Sequence, residues 1–150
     1  MPKNRYVNGM SRKSIRASGN SETDTFASMH NGATPDRRRV VGLYTNMMAS
    51  TAGRGEGYVI DDGKLTPFVV PGSTFTTAWD VSRRGDVVGV FRDAAGVFHG
   101  YVLTRDGFIP IDAPGATATR AFGINASGDV VGTFIDAGGT VHGFLARRTR

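Results

Sequence analysis

Residues 57–99 recur as residues 100–142 without a gap, and 19 of the 43 paired positions are identical. Gly57-Tyr58-Val59 returns as Gly100-Tyr101-Val102, Pro71-Gly72 as Pro114-Gly115, and Asp86-Val87-Val88-Gly89 as Asp129-Val130-Val131-Gly132. His99 returns as His142. A period of this size marks an array of like units, because one such unit leaves an apolar face that only a neighbour can cover. The repeat specifies a scaffold and leaves ligand and reaction open.

Within one unit the pattern predicts four strands. The first covers 76–82 and again 119–125, the second 86–92 and 129–135. A Gly-bearing loop, Asp93-Ala94-Ala95-Gly96 or Asp136-Ala137-Gly138-Gly139, leads to the third, 98–103 and 141–146. An Asp-Gly turn, Asp62-Gly63 or Asp106-Gly107, leads to the fourth, 65–70 and 108–112. Asp-Gly between apolar runs is a hairpin signal, since a type I′ turn needs φ > 0 at both central residues. The second strand reads Val87-Val88-Gly89-Val90-Phe91, apolar toward both faces, so its sheet is expected to be covered on both sides. Pro67 and Pro110 fall within the fourth strand. Proline has no amide donor, which assigns that strand to a sheet edge. Four antiparallel strands in about 40–45 residues is the size of one propeller blade.

The fold class expected is therefore all-β, with four-stranded antiparallel units stacked as β-propeller blades in a partial ring. Residues 39–146 form the array, in units of about 39–75, 76–118 and 119–146. Residues 1–38, rich in Ser, Asn, Thr and Arg, are expected to be a poorly ordered basic segment, and 147–150 a basic tail. A degraded first strand is visible at Ala27-Ser28-Met29-His30-Asn31, which resembles Ala121-Phe122-Gly123-Ile124-Asn125. The expected core includes Val88, Val90, Phe91, Tyr101, Leu103, Ile111, Phe122, Ile124, Val131, Phe134 and Leu145. Gly89 and Gly132 are expected where another backbone approaches closely.

Charge narrows the partners. Residues 1–39 hold eight Lys or Arg against three acidic side chains, whereas 40–145 hold seven basic and ten acidic, a net −3. Nucleic-acid binding needs a basic face, so none is expected of the folded body. No apolar run approaches the ~20 residues of a membrane-spanning helix. With no cysteine, no Cys-based zinc site exists. The first twenty residues are basic and lack the apolar stretch of a signal peptide, so no export signal is expected in the chain as it stands.

The units resemble the HAF repeat of bacterial extracellular repeat proteins. The likeness rests on Gly123-Ile124-Asn125-Ala126-Ser127-Gly128-Asp129-Val130-Val131-Gly132-Thr133-Phe134, followed by Gly139-Thr140-Val141-His142-Gly143-Phe144-Leu145. His99-Gly100-Tyr101-Val102 and Pro114-Gly115-Ala116 carry it in the preceding copy, and it covers about residues 40–146. The resemblance implies propeller blades in a secreted or surface protein. The first copy departs from it with Glu56-Gly57-Tyr58, where the histidine is missing.

Candidate chemistry is sparse. His99 and His142 are the only repeated ionisable aromatics, and neutral imidazole is a common ligand. With no closely spaced carboxylates or histidines beside them, a structural histidine bonded to a neighbouring blade's backbone is the favoured reading. Asp93 and Asp136 are expected to cap their own turns, one carboxylate per loop being too few for calcium. Arg84-Gly85-Asp86 spells an adhesion tripeptide, but Gly and Asp belong to the repeat turn. Gly53-Arg54-Gly55-Glu56-Gly57 lacks the lysine and helix of a phosphate loop. Trp79 is expected in packing. The first unit carries four extra residues between Gly42 and Gly57, placing a long loop at Asn46–Arg54. Long hairpin tips cost little closure entropy and often carry function.

These features favour a non-enzymatic extracellular or surface module that binds carbohydrate or protein through loops at one end of the blades. Candidate ligand-binding residues are His99, His142, Asn46 and Arg54, with no catalytic residue, metal or cofactor expected. Two alternatives stand: a propeller enzyme with a central-channel site using groups such as Asp80 or Asn125, and a purely structural repeat. Between two and three units fall short of the four to eight of a closed propeller. A homo-oligomer completing the ring, or a longer parent chain, is therefore expected.

Overall fold

The computed structural model describes residues 26–46 and 55–149. Eleven strands run in meander order: β1 Phe26–Ala33, β2 Arg39–Asn46, β3 Gly55–Asp61, β4 Lys64–Phe68, β5 Phe75–Val81, β6 Val87–Arg92, β7 Phe98–Thr104, β8 Gly107–Ile111, β9 Ala118–Ile124, β10 Val130–Ile135 and β11 Val141–Ala146. They form three antiparallel sheets in series, β1-β2-β3-β4, β5-β6-β7-β8 and β9-β10-β11. Among the described residues there is no helix long and apolar enough to cross a membrane. The all-β, four-strand reading of the repeat holds.

The local rules that shaped the strands are visible in the ladder. Pro67 opposes Tyr58 and Pro110 opposes Tyr101, each on the outer strand of its sheet. Asp62 and Gly63 both adopt positive φ, 46° and 86°, and close β3–β4 as a two-residue turn. The matching turn in sheet two is shifted by one. Thr104 pairs with Gly107, so Arg105-Asp106 form the turn and Gly107 (φ 124°) opens β8. The expected Asp106-Gly107 turn is corrected accordingly.

Sheet two is covered on both faces. Val41, with Val59 and Phe68 packed beside it, meets Ala78, Val81, Val87 and Leu103 between sheets one and two. Val88 and Val102, with Ile111, meet Ala121 and Val130, with Ile124, between sheets two and three. All four residues Val87 to Val90 are buried, as their two-sided apolar pattern requires. An added Cβ on Gly89 would lie 1.9 Å from the Thr77 carbonyl oxygen, and one on Gly132 would lie 1.9 Å from that of Arg120. Over Gly89 the Tyr101 hydroxyl reaches past β6 and donates to the Thr77 carbonyl (2.7 Å). At both glycines a side chain would run into the backbone of the neighbouring strand.

Two expectations are overturned. Residues 26–33 are not part of a poorly ordered segment, because β1 pairs with β2 along its length. The register sets His30 opposite Gly42 and Gly32 opposite Val41, as Ala121 opposes Gly132 and Gly123 opposes Val131. The degraded first strand therefore aligns through His30-Asn31-Gly32-Ala33-Thr34, three residues beyond the sequence match. Its apolar positions have been replaced, which hid the strand. In the core, Phe122, Val131 and Leu145 are 37%, 49% and 54% exposed. Val131 and Leu145 face away from sheet two, where no described element covers them, whereas Phe122 lies in the register shift of β9 with its ring edge-on to Trp79 of sheet two.

Candidate functional site

The meander sends alternate turns to opposite ends of the sheets. At one end lie the β6–β7 and β10–β11 loops and the links between sheets. At the other lie the β1–β2, β3–β4, β5–β6, β7–β8 and β9–β10 turns.

His99 and His142 belong to the first end. Asp93 Oδ1 accepts the Val97 amide (2.9 Å) and Asp136 Oδ1 accepts that of Thr140 (2.9 Å), so each carboxylate caps its own loop as expected. The other oxygen of each carboxylate meets the histidine six residues on, at 3.0 Å for His99 Nε2 and 2.7 Å for His142 Nε2. His99 Nδ1 meets Asp112 at 2.8 Å. The rings stack on Phe91 and Phe134 at centroid distances of 5.0 Å. The expected bond to a neighbouring backbone is therefore corrected: the partners are carboxylates of the same sheet. The spacing Asp-x5-His, present twice, was the sequence signal for it.

This arrangement orders a loop rather than collecting a ligand. Asp93 and Asp112 engage opposite nitrogens of one ring, so they cannot turn toward a common ion. Among the described residues no group of three His, Cys, Asp or Glu converges on a metal position. Burial works against charge on His99, but its hydrogen bonds to Asp93 and Asp112 and their negative charge outweigh it, so its pKa is raised. Hydrogen bonds from the histidine, and then from the loop amides, hold Asp93 and Asp136 below the usual carboxylate range. In the first unit Tyr44 opposes Glu56 as Phe91 opposes His99, so Glu56 takes the histidine's place. Asn46 ends β2 at the position of Asp93. Arg54 lies outside the described residues, with most of the Asn46–Arg54 loop. The structure thus places His99 and His142 on equivalent strands of adjacent sheets, each in its own cluster, and does not bring them together.

The groups expected to face a channel are spent on the backbone. Asp80 accepts the Val81 amide (2.9 Å) and, from the next sheet, the Ile124 amide (3.0 Å). Asn125 Oδ1 accepts the Ser127 and Asp129 amides at 2.9 Å each. Trp79 packs edge-on against Phe122 across two sheets, with centroids 5.3 Å apart.

The open concave surface lies at the opposite end. A groove of about 690 Å³ separates sheets one and two there, floored by Val59, Val87 and Leu103. A second, of about 280 Å³, separates sheets two and three. Asp86 and Arg148 line both, so the grooves adjoin. Arg39 is fixed in the first by Asp61 (2.6 Å) and by the Gly85 carbonyl of the next sheet (3.1 Å). Arg148 reaches Asp86 (3.2 Å), and its amide donates to Asp129 (3.1 Å). Two arginines at the rim remain available. Arg84 forms no ion pair among the described residues. Arg105 meets only its neighbour Asp106, at 3.9 Å with both side chains more than 85% exposed, a pairing worth little in water.

Sequence reasoning missed this end. Arg39 and Arg148 read as parts of solvated basic termini, because the signal that places them, pairing across sheets, is not local. Arg84 was visible only inside an adhesion tripeptide, and Gly85 (φ 89°) shows that tripeptide to be a β5–β6 turn. The chain matches no protein-family model, no curated protein and no solved structure.

Proposed function

We propose that this chain is a non-enzymatic repeat module whose sheets act as propeller-type blades and whose adjoining inter-sheet grooves bind an extended, carboxylate-bearing carbohydrate. The observation that carries the reading is the recurrence of a groove at the same end of successive sheets, joined through Asp86 and Arg148. A linear polymer can thread two such grooves in register. Arg84 and Arg105 supply cationic contacts at the rim, and a guanidinium fork suits carboxylate recognition. Arg39 and Arg148, held by their own acidic partners, preorganise the walls, which lowers the ordering cost on binding. The resemblance to the HAF repeat supports a secreted or surface setting, where such polymers occur. Binding is assigned to the groove end rather than to His99, His142, Asn46 and Arg54.

Titration of the intact chain by calorimetry against uronic-acid, sulfated and neutral glycans, with an acidic peptide alongside, tests the proposal. Uronic-acid polymers are expected to bind, and replacing Arg84 and Arg105 together with Ala should weaken binding on the order of tenfold or more, about 1–3 kcal/mol for lost charged hydrogen bonds. Raised salt should weaken it further. Equal affinity for neutral glycans, or an unaffected double variant, refutes the groove assignment. Preference for the peptide would move the module to protein recognition.

A further inference from the structure

The two grooves are repeat copies of each other with different linings. In the first, Val59 opposes Thr66 across β3–β4 and Val87 opposes Leu103 across β6–β7. Forty-three residues on, in the second, Val102 opposes Ile109 and Val130 opposes Ala146. The polar Thr66 is thus replaced by Ile109, which stands 52% exposed, and the bulky Leu103 by Ala146. Asp61, which holds Arg39 in the first groove, is replaced by Thr104.

Side chains alternate along a strand, so Ile111 shares the face of Ile109, and Ile124 opposes Val130 from β9. The second groove therefore has a floor of branched aliphatic side chains. Among the described residues no aromatic ring lines it, so it offers no platform for the face of a bare sugar. Charge is confined to the rim. Asp86 is taken up by Arg148, at 3.2 Å, whereas Arg147 forms no ion pair among the described residues.

An apolar floor beneath an unpaired guanidinium complements a group with an apolar body and an acceptor oxygen beside it. An acyl ester has that form, with its methyl group for the floor and its carbonyl oxygen for the rim. The volume of about 280 Å³ falls just below the ~300–1,000 Å³ of sites that engulf a drug-sized ligand, which suits a short group rather than a long chain. Asp86, Thr104 and Arg148 line both grooves, so a ligand passes from one to the other without leaving the surface.

We propose that the second groove is a subsite for a short acyl group, an ester-linked acetyl, carried by the acidic polymer. The inference rests on the carboxylate reading of the adjoining grooves and adds the substituent that the second one selects. A polymer with its carboxylate against Arg84 and Arg105 sets its next units over Ile109 and Ala146.

Calorimetric titration of the intact chain with an O-acetylated uronic-acid polymer, and with the same polymer after mild alkaline deacetylation, tests this. The acetylated form should bind on the order of tenfold more tightly, the low end of what one methyl group is worth in an apolar pocket. I109T and A146L each install the residue that the first groove carries, and each should bring the ratio of the two affinities to about one. I109T changes an exposed side chain, so it keeps the test open if A146L disturbs folding. V97T, at the other end of the sheets, should keep the wild-type ratio. Equal wild-type affinity for the two polymers overturns the acyl subsite and leaves the carboxylate reading standing, and a preference that survives both I109T and A146L overturns its location. A neutral glycan with and without the same ester separates the two ideas: an acetyl preference there, with no binding of either uronic-acid polymer, refutes the carboxylate reading and keeps the subsite. No binding of any acetylated form overturns the subsite.

Discussion

His99 shows how much one side chain can do without touching a ligand. Its ring lies flat on Phe91 while its two nitrogens tie the β6–β7 loop, through Asp93, to the end of β8, through Asp112. Because its pKa is raised in the folded protein, its contribution to stability is full below the ordinary histidine value of about 6.5 and fades as pH rises through the folded value. Asp93 shifts the other way, so its contribution is present above about 3.9 and is lost as pH falls through its lowered value. Between those limits the contact is strongest. Thermal melts of the wild type and H99Q should differ most near pH 5 to 6 and converge as pH rises through the folded value. A gap that stays constant with pH would show that stacking on Phe91, rather than charge, is what His99 supplies. His142 stacks on Phe134 in the same geometry, with Asp136 as its partner.

At the scale of a strand, Gly89 decides whether β6 can lie beneath Tyr101. Gly89 has no positive φ, so its requirement is steric rather than conformational. A methyl group there would meet the Thr77 carbonyl oxygen at 1.9 Å and the Tyr101 hydroxyl at 2.7 Å. Backbone must move to admit it. G89A is expected to cost ~3 kcal/mol by denaturant unfolding, at the upper end of overpacking costs, and G89V more. G96A, at a position with open space around it and φ of 86°, should cost only about 1 kcal/mol from backbone strain. A G89A loss below about 0.5 kcal/mol, within the range of surface substitutions, would contradict the close approach. The sequence made this element legible because two-sided apolar runs, glycine at a fixed place and an edge proline are local signals. Most strand ends fell within one or two residues of expectation for that reason. The first strand was not legible beyond a faint match set three residues early: His30 and Asn31 occupy the places of Ala121 and Phe122, and only the ladder with β2 restores the alignment. The groove was illegible because Arg39 and Gly85 are 46 residues apart in the chain. The histidine pairs could have been read from Asp-x5-His occurring twice.

For the whole molecule, position in the series outweighs the identity of the unit. Sheets two and three share most of their sequence signature, yet Val88 is buried and Val131 is half exposed. In a linear array each unit is stabilised by its own folding and by its contacts with neighbours, so a unit with one neighbour is held less firmly than a unit with two. Amide exchange should report that directly. At low protein concentration β6, between two sheets, is expected to exchange slowest, through near-global unfolding, while β10 and β11 open at lower free energy. Sheet one should hold better than sheet three, since Tyr58 and Val40 on its outer side are buried. Equal protection of β6 and β10 at low concentration would mean that the three sheets unfold as one cooperative block, and the series would then have no weak end.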